Sequence, residues 1–185
     1  SMIVARVGHS ATLFADGRVF IAGGDGNGSA EIFDPSSSTF SAVAANMIAA
    51  RSMHSAALLA DGKVLIVGGR TSAGDVFSSG EIFDPSNSTF EAAGAMEDAR
   101  AGSTLRVLPD GKVQIIGGND QRSIEIYDPA ASIFGAHAHV PPDGDVHATL
   151  ISEIMTSPSR AAILNNGQTI TELTGQALVV GGTDS

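Results

Sequence analysis

The sequence predicts an all-β fold, a β-propeller built from four-stranded antiparallel blades. Short apolar runs are separated by Asp-Gly, Gly-Gly and Asp-Pro pairs, which is typical of strands joined by tight turns. The motif Met-x-x-Ala-Arg recurs at 2–6, 47–51 and 96–100, with a looser version at 155–160. The first three arginines are 45 and 49 residues apart, and such a period with several strands in each repeat is typical of propellers.

The first repeat is expected to supply four strands, namely A at 9–14, B at 18–22, C at 30–33 and D from Thr39. Asp16-Gly17 predicts a tight A–B hairpin with two positive-φ residues. Strand B has no polar break, so it is expected to be an inner strand that is packed on both faces. Gly23-Gly24 ends it where a close backbone approach or positive φ is expected. Asp34-Pro35 ends strand C, because proline cannot donate to a ladder.

The second repeat follows the first closely, and the third has Tyr127 in place of phenylalanine. The predicted blades are 2–46, 47–95, 96–154 with an insertion at 135–154, and a partial blade at 155–185. That last blade ends just past Gly181-Gly182 and so has strands A and B alone, giving about 3.5–4 blades. The ring is therefore expected to be incomplete, either a piece of a longer propeller or a half-ring that another copy completes.

These repeats resemble the kelch repeat, as in bacterial kelch-like repeats and the related central domain of galactose oxidase. The likeness rests on Arg-x-x-His before strand A, the glycine pair after strand B, and Glu-Ile-Phe/Tyr-Asp-Pro starting at Glu31, Glu81 and Glu125. The resemblance implies a β-propeller with strand A nearest the central channel. The sequence departs from the family in having phenylalanine for the usual tryptophan of strand D, and Ser103 for the strand-A histidine.

One face of the predicted ring collects arginines and polar loops. Strand direction alternates within a blade, so the starts of the A strands and the B–C loops share this face. The resemblance implies that a partner binds there, and arginines suit carboxylate or acidic-peptide ligands. The candidate ligand-binding residues are Arg6, Arg51, Arg100, Arg160, Asn119 and Arg122. Alternatively, these arginines bond carbonyl groups at blade ends, or Asp and Glu of the next blade.

The histidines fall into two groups. His9 and His54 recur once in each repeat, so a packing or hydrogen-bonding role is expected for them. His137, His139 and His147 lie outside the repeat pattern and are weak candidates for a Zn²⁺ or Ni²⁺ site, because their spacing matches no known ligand pattern. No cofactor is predicted.

Composition limits the classes of partner. The net charge of −10 argues against nucleic acids and anionic membranes, and the chain has no run of about 18 apolar residues that could span a bilayer. There are no cysteines and one tyrosine, so the cross-linked Cys–Tyr pair of copper radical oxidases is absent. The same counts fit a cytosolic or an exported bacterial protein equally well, and no signal peptide is visible.

The sequence therefore favours a non-catalytic module that binds a protein, peptide or carbohydrate ligand on the arginine-bearing face. Two alternatives stay open. The chain is either the scaffold part of a larger propeller enzyme acting on sugars, or a propeller fragment that self-assembles into a homo-oligomer.

Overall fold

The computed structural model of the chain describes residues 1–119 and 123–139. These residues form three four-stranded antiparallel sheets, and in each sheet the strands follow one another in chain order. The first sheet contains β1 (Ser10–Leu13), β2 (Val19–Ala22), β3 (Ala30–Asp34) and β4 (Thr39–Ala42). The second contains β5 (Ser55–Leu58), β6 (Val64–Val67), β7 (Ser79–Asp84) and β8 (Thr89–Ala95). The third contains β9 (Thr104–Val107), β10 (Val113–Ile116), β11 (Ser123–Asp128) and β12 (Ile133–His139).

The three sheets are arranged as consecutive propeller blades. The first strand of each sheet lies beside the first strand of the next, β1 against β5 and β5 against β9. The all-β, blade-forming architecture that the sequence predicts is therefore confirmed, and the described blades do not close a ring. The predicted fourth unit at 155–185 lies outside the described residues. Within the described part of the chain, no helix has the length and apolar character needed to cross a bilayer.

The hydrophobic core lies between blades. Phe20 of the first blade stacks on Phe83 of the second, with ring centroids 4.2 Å apart, and Val64 and Ile66 pack into the same cluster. A second cluster joins the second blade to the third, where Leu65 and other apolar side chains pack around Tyr127. All four residues of β6 are fully buried, as predicted for an inner strand packed on both faces. Each such side chain contributes roughly 1.5–3 kcal/mol, so the blades stabilise one another.

The A–B turns differ from the predicted hairpin. Gly17 has φ of 89°, but Asp16 does not have a positive φ. The Phe14 N–H donates to the Arg18 carbonyl at 2.8 Å, and the Gly17 N–H donates to the Phe14 carbonyl at 3.1 Å. This is a three-residue loop with a glycine bulge, which needs one positive-φ residue. The prediction of two positive-φ residues in this turn was therefore wrong. The aspartate instead accepts a bond from the Arg18 N–H at 3.0 Å.

The glycine pairs behave as predicted. Gly23 and Gly24 have φ of 65° and 74°, and a Cβ on Gly23 would lie 2.5 Å from the Arg51 carbonyl oxygen. The second strand of the blade therefore ends where the main chains of two neighbouring blades come into contact. Glycine is required there both by the backbone conformation and by the lack of space.

Candidate functional site

The arginines of the Met-x-x-Ala-Arg motif lie inside the blades. The side chains of Arg6, Arg51 and Arg100 are fully buried, each within the blade that follows it in the chain. In the second blade, Arg51 Nη1 donates to the Gly68 carbonyl at 2.6 Å, and Nη2 donates to Glu81 Oε1 at 2.7 Å. We call this buried group of arginine, glycine carbonyl and glutamate an arginine clip.

The other blades repeat the clip. Arg6 donates to the Gly23 carbonyl at 2.9 Å and to Glu31 at 2.8 Å. Arg100 donates to the Gly117 carbonyl at 2.8 Å and also pairs with Glu125. Each guanidinium therefore donates to a carbonyl and a carboxylate inside the protein, which agrees with the alternative that the arginines bond blade-end carbonyls. Nε of Arg100 is buried without a hydrogen-bond partner. The glutamate partner belongs to the same blade, not to the next one as that alternative supposed.

The glutamate of each clip also binds the start of the repeat. Glu81 accepts the N–H groups of Ile48 at 2.7 Å and Ala49 at 3.0 Å. Burial alone would raise the pKa of the equivalent Glu31, but the N–H groups of Ile3 and Val4 and the Arg6 guanidinium bring that pKa below its usual value. The clip of the first blade therefore holds an ionised carboxylate. Each clip brings together the arginine motif, the glycine pair and the Glu-Ile-Phe/Tyr-Asp-Pro motif of its repeat.

The main chains of Arg51 and Arg100 bind the preceding blade. The Gly24 N–H donates to the Arg51 carbonyl at 2.9 Å, and the Gly69 N–H donates to the Arg100 carbonyl at 2.8 Å. An arginine thus fixes its own blade with its side chain and the previous blade with its carbonyl. The clips have the geometry of a structural framework.

A histidine and a serine also cross the first interface between blades. His54 Nε2 lies 2.8 Å from Ser10 Oγ of the first blade, so the expected hydrogen-bonding role is found for His54. Burial, with smaller contributions from Arg51 and His9, lowers the pKa of His54 to about 4. Its imidazole is therefore neutral near pH 7. His9 is exposed.

The third repeat replaces this histidine with Ser103. Ser55 Oγ donates to the Ser103 carbonyl and lies 3.0 Å from Ser103 Oγ. A hydroxyl contact thus links the second and third blades where an imidazole links the first and second. The replacement of histidine by Ser103 therefore changes the groups that meet between the blades, but a side-chain contact between the blades is retained.

Some of the remaining predicted site residues lie in the described part of the chain, and others lie outside it. Asn119 donates from Nδ2 to Asp98 at 3.0 Å and to Ser123 Oγ at 2.8 Å, so it belongs to the surroundings of the third clip. The backbone of His137 and His139 lies in β12. Three predicted residues lie outside the described residues, namely Arg122, Arg160 and His147. Among the described residues, no three metal-ligating side chains come together.

The exposed part of the same face carries an apolar strip, which we define as Val7, Met53 and Val76. Val7 is 83% exposed, Met53 43% and Val76 46%. Arg70 connects two of its members, because its main chain pairs with Val76 and its Nη2 contacts Met53 Sδ. Sequence reasoning passed over these residues.

Met53 has an unusual backbone conformation. Its φ is 54°, in the left-handed region, and the equivalent residues of the other blades are Gly8 with φ of 69° and Gly102 with φ of 72°. This conformation costs a non-glycine residue about 1–2 kcal/mol. The signal was present in the sequence, because one repeat carries a methionine where the other two carry glycine.

Arg70 differs from the clip arginines. It forms no ion pair with any carboxylate of the described residues, whereas each clip arginine pairs with a glutamate. Its Nε is buried without a hydrogen-bond partner, as is Nε of Arg100. A guanidinium without a carboxylate partner can donate hydrogen bonds to the carboxylate of a ligand. The face therefore carries a guanidinium without a carboxylate partner among the described residues beside an apolar strip.

Together, the blades and the clips define a repeat protein of the β-propeller type. Residues 51–97, which contain the second blade, match the family model of the Kelch motif. This match supports the predicted kelch-repeat assignment for the second blade. Comparison with curated proteins gave no match. Kelch repeats generally act as non-catalytic interaction modules.

Proposed function

We propose that the chain is a non-catalytic module that binds a protein or peptide through the apolar strip and Arg70. The ligand would contribute an apolar side chain to the strip and a carboxylate to the guanidinium. This proposal keeps the predicted face and the predicted acidic-peptide ligand. It transfers ligand contact from the clip arginines, which are fully buried and paired with glutamates, to Arg70, which pairs with none of the described carboxylates.

The observation that carries the proposal is the left-handed Met53. A methionine is 43% exposed at a position where both sister blades have glycine, so this side chain does little for packing and still costs backbone energy. Strain of this kind is concentrated at binding sites, where a particular side chain is needed. Methionine is also suited to contact varied apolar groups, because its side chain is unbranched and polarizable.

The test is a selection of phage-displayed short linear peptides on the wild-type protein, followed by binding measurements on variants. Selected peptides should carry an acidic residue close to apolar ones. Met53→Gly should weaken their binding and leave stability within about 1 kcal/mol, because relief of the left-handed strain offsets the backbone entropy of glycine. Arg70→Ala should weaken binding and reduce its salt dependence.

Arg18→Ala is the matched control. Arg18 is an arginine with a half-exposed side chain, and it follows an A–B turn on the opposite face. The Arg18→Ala variant should bind the selected peptides as tightly as the wild type does. The proposal fails if no peptide is enriched, or if the enriched peptides bind Met53→Gly and Arg70→Ala as tightly as the wild type.

A further inference from the structure

The exposure of the methionines singles out Met53 as a site of oxidation. Among the methionines in the described part of the chain, Met53 alone is exposed, at 43%. Met47 and Met96 are 5% and 4% exposed, and Met2 is half-buried. Conversion of a methionine to its sulfoxide requires the oxidant to reach the thioether sulfur, so Met53 is the favoured position.

The main chain of Met53 is fixed, while its side chain lies outside the cores. Its N–H donates to the Gly8 carbonyl and its carbonyl accepts the Gly102 N–H, both at 2.7 Å. These bonds join the second blade to the first and to the third. The Met53 side chain belongs to neither of the apolar clusters between blades. An oxygen atom added to the sulfur would therefore change the surface and leave the contacts between blades in place.

Arg70 is the group that would respond to this change. Its Nη2 contacts Met53 Sδ, and its main chain pairs with Ser52, the residue before Met53, through hydrogen bonds of 2.8 and 3.0 Å. A thioether sulfur is a weak hydrogen-bond acceptor, whereas oxidation makes the side chain polar. The new oxygen would accept hydrogen bonds that the guanidinium otherwise offers to a carboxylate.

We propose that Met53 is a redox-sensitive modification site, and that its oxidation by hydrogen peroxide switches off ligand binding at the apolar strip and Arg70. The loss of ligand rests on the proposed function, whereas the oxidation and the response of Arg70 do not. In the reaction Met53 Sδ attacks one peroxide oxygen, so that an S–O bond forms and the O–O bond breaks. Sulfur gives up two electrons, and the departing hydroxide takes the proton of the transferred hydroxyl and leaves as water.

The first test is the rate of oxidation in the folded protein, followed by peptide mass spectrometry during treatment with hydrogen peroxide. Met53 should be oxidised at least ~10-fold faster than Met47 and Met96, because both of those side chains are buried in the clusters between blades. Equal rates at the three positions would overturn the proposal.

The second test measures the response of Arg70 and needs no ligand. Phenylglyoxal modifies accessible guanidinium groups, and it should label Arg70 at least ~3-fold more slowly once Met53 is oxidised, because the sulfoxide oxygen occupies its donors. Arg18, on the opposite face, should be labelled at the same rate in both states. Peroxide-treated Met53→Leu is the control, because leucine has a similar volume and forms no sulfoxide. Unchanged labelling of Arg70 in oxidised wild-type protein would overturn the proposal.

The third test uses the peptides selected on the untreated protein. Oxidation should weaken their binding to the wild type at least ~10-fold, through the lost bond to Arg70, and methionine sulfoxide reductases should restore it. Met53→Leu should bind them equally before and after peroxide treatment. Equal binding to oxidised and untreated wild type would overturn the switch and leave the proposed function intact. If no peptide is selected, the proposed function and the switch both fail, and the first two tests decide the modification alone.

Discussion

Removal of one clip arginine tests whether these residues form the framework of the blades. Arg51→Ala deletes the bonds to the Gly68 carbonyl and to Glu81, which are 2.6 and 2.7 Å long. It also deletes the contact with the Phe77 ring, whose centroid lies 4.7 Å from the guanidinium carbon. The Glu81 carboxylate would remain buried, with only the backbone N–H groups of Ile48 and Ala49 as partners.

The expected loss of stability follows from the buried Glu81 carboxylate, which has no arginine partner in this variant. Breaking a buried ion pair by removing one partner typically destabilises a protein by about 3–5 kcal/mol, because the remaining charge is uncompensated. For a chain of this size, each kcal/mol lowers the melting temperature by roughly 2–4 °C. The Tm of Arg51→Ala should therefore fall by roughly 6–20 °C.

Urea unfolding followed by circular dichroism measures the change, with thermal melts as a check. Arg18→Ala is the control, because it removes an arginine whose partner Asp16 is exposed, and it should unfold close to the wild type. Arg51→Lys should fall between the two, since lysine keeps the charge and loses the planar fork. If Arg51→Ala unfolds where Arg18→Ala does, the clips are not a framework, and their arginines become candidates for ligand binding again.

Two further predictions concern the interface between the first and second blades. Because the pKa of His54 is about 4 in the folded protein against 6.5 unfolded, the folded state binds fewer protons, so stability is full above pH 6.5 and is lost as pH falls toward 4. Between pH 7 and pH 5, His54 should lower the free energy of unfolding of the wild type by about 2 kcal/mol, and this contribution should be absent in His54→Gln. Urea unfolding at a series of pH values measures both proteins. The same pH dependence in both would refute the lowered pKa of His54. Gly23→Ala and Gly17→Ala both place alanine at positive φ, but only at Gly23 does the new Cβ meet Arg51, so Gly23→Ala should be less stable by at least about 1 kcal/mol. Equal unfolding midpoints would show that the close approach at Gly23 is relieved without cost.

The strands could be predicted because their signals are local. Asp34-Pro35 ends a strand wherever it occurs, and β3 does end at Asp34. The apolar run before Gly68 is buried on both faces, as its lack of polar residues indicated. The turn at Asp16-Gly17 was predicted incorrectly, because the Asp-Gly dipeptide occurs both in two-residue hairpin turns and in three-residue hairpin loops.

The partners of the arginines could not be predicted from spacing alone. Arg51 and Glu81 are 30 residues apart, and their pairing depends on two chain reversals that bring β7 beside the start of the repeat. The sequence did hold a signal, because arginine and glutamate recur together in every described blade. Met53 was missed for a different reason, and Arg70 was predicted on this face only as part of the B–C loop at 70–75. Met53 departs from the repeat, so a search for what the repeats share passes over it.

The two bonding roles of the clip arginine, one for its carbonyl and one for its side chain, have a consequence for how such chains can change in evolution. An arginine bonds backward through its carbonyl and inward through its side chain, so every repeat carries the same donors and acceptors at its two boundaries. A gene segment that encodes one whole repeat could be duplicated or lost, and each new junction would bring together the same pairs of groups. Lengthening or shortening such a chain by whole repeats would then require no compensating substitution.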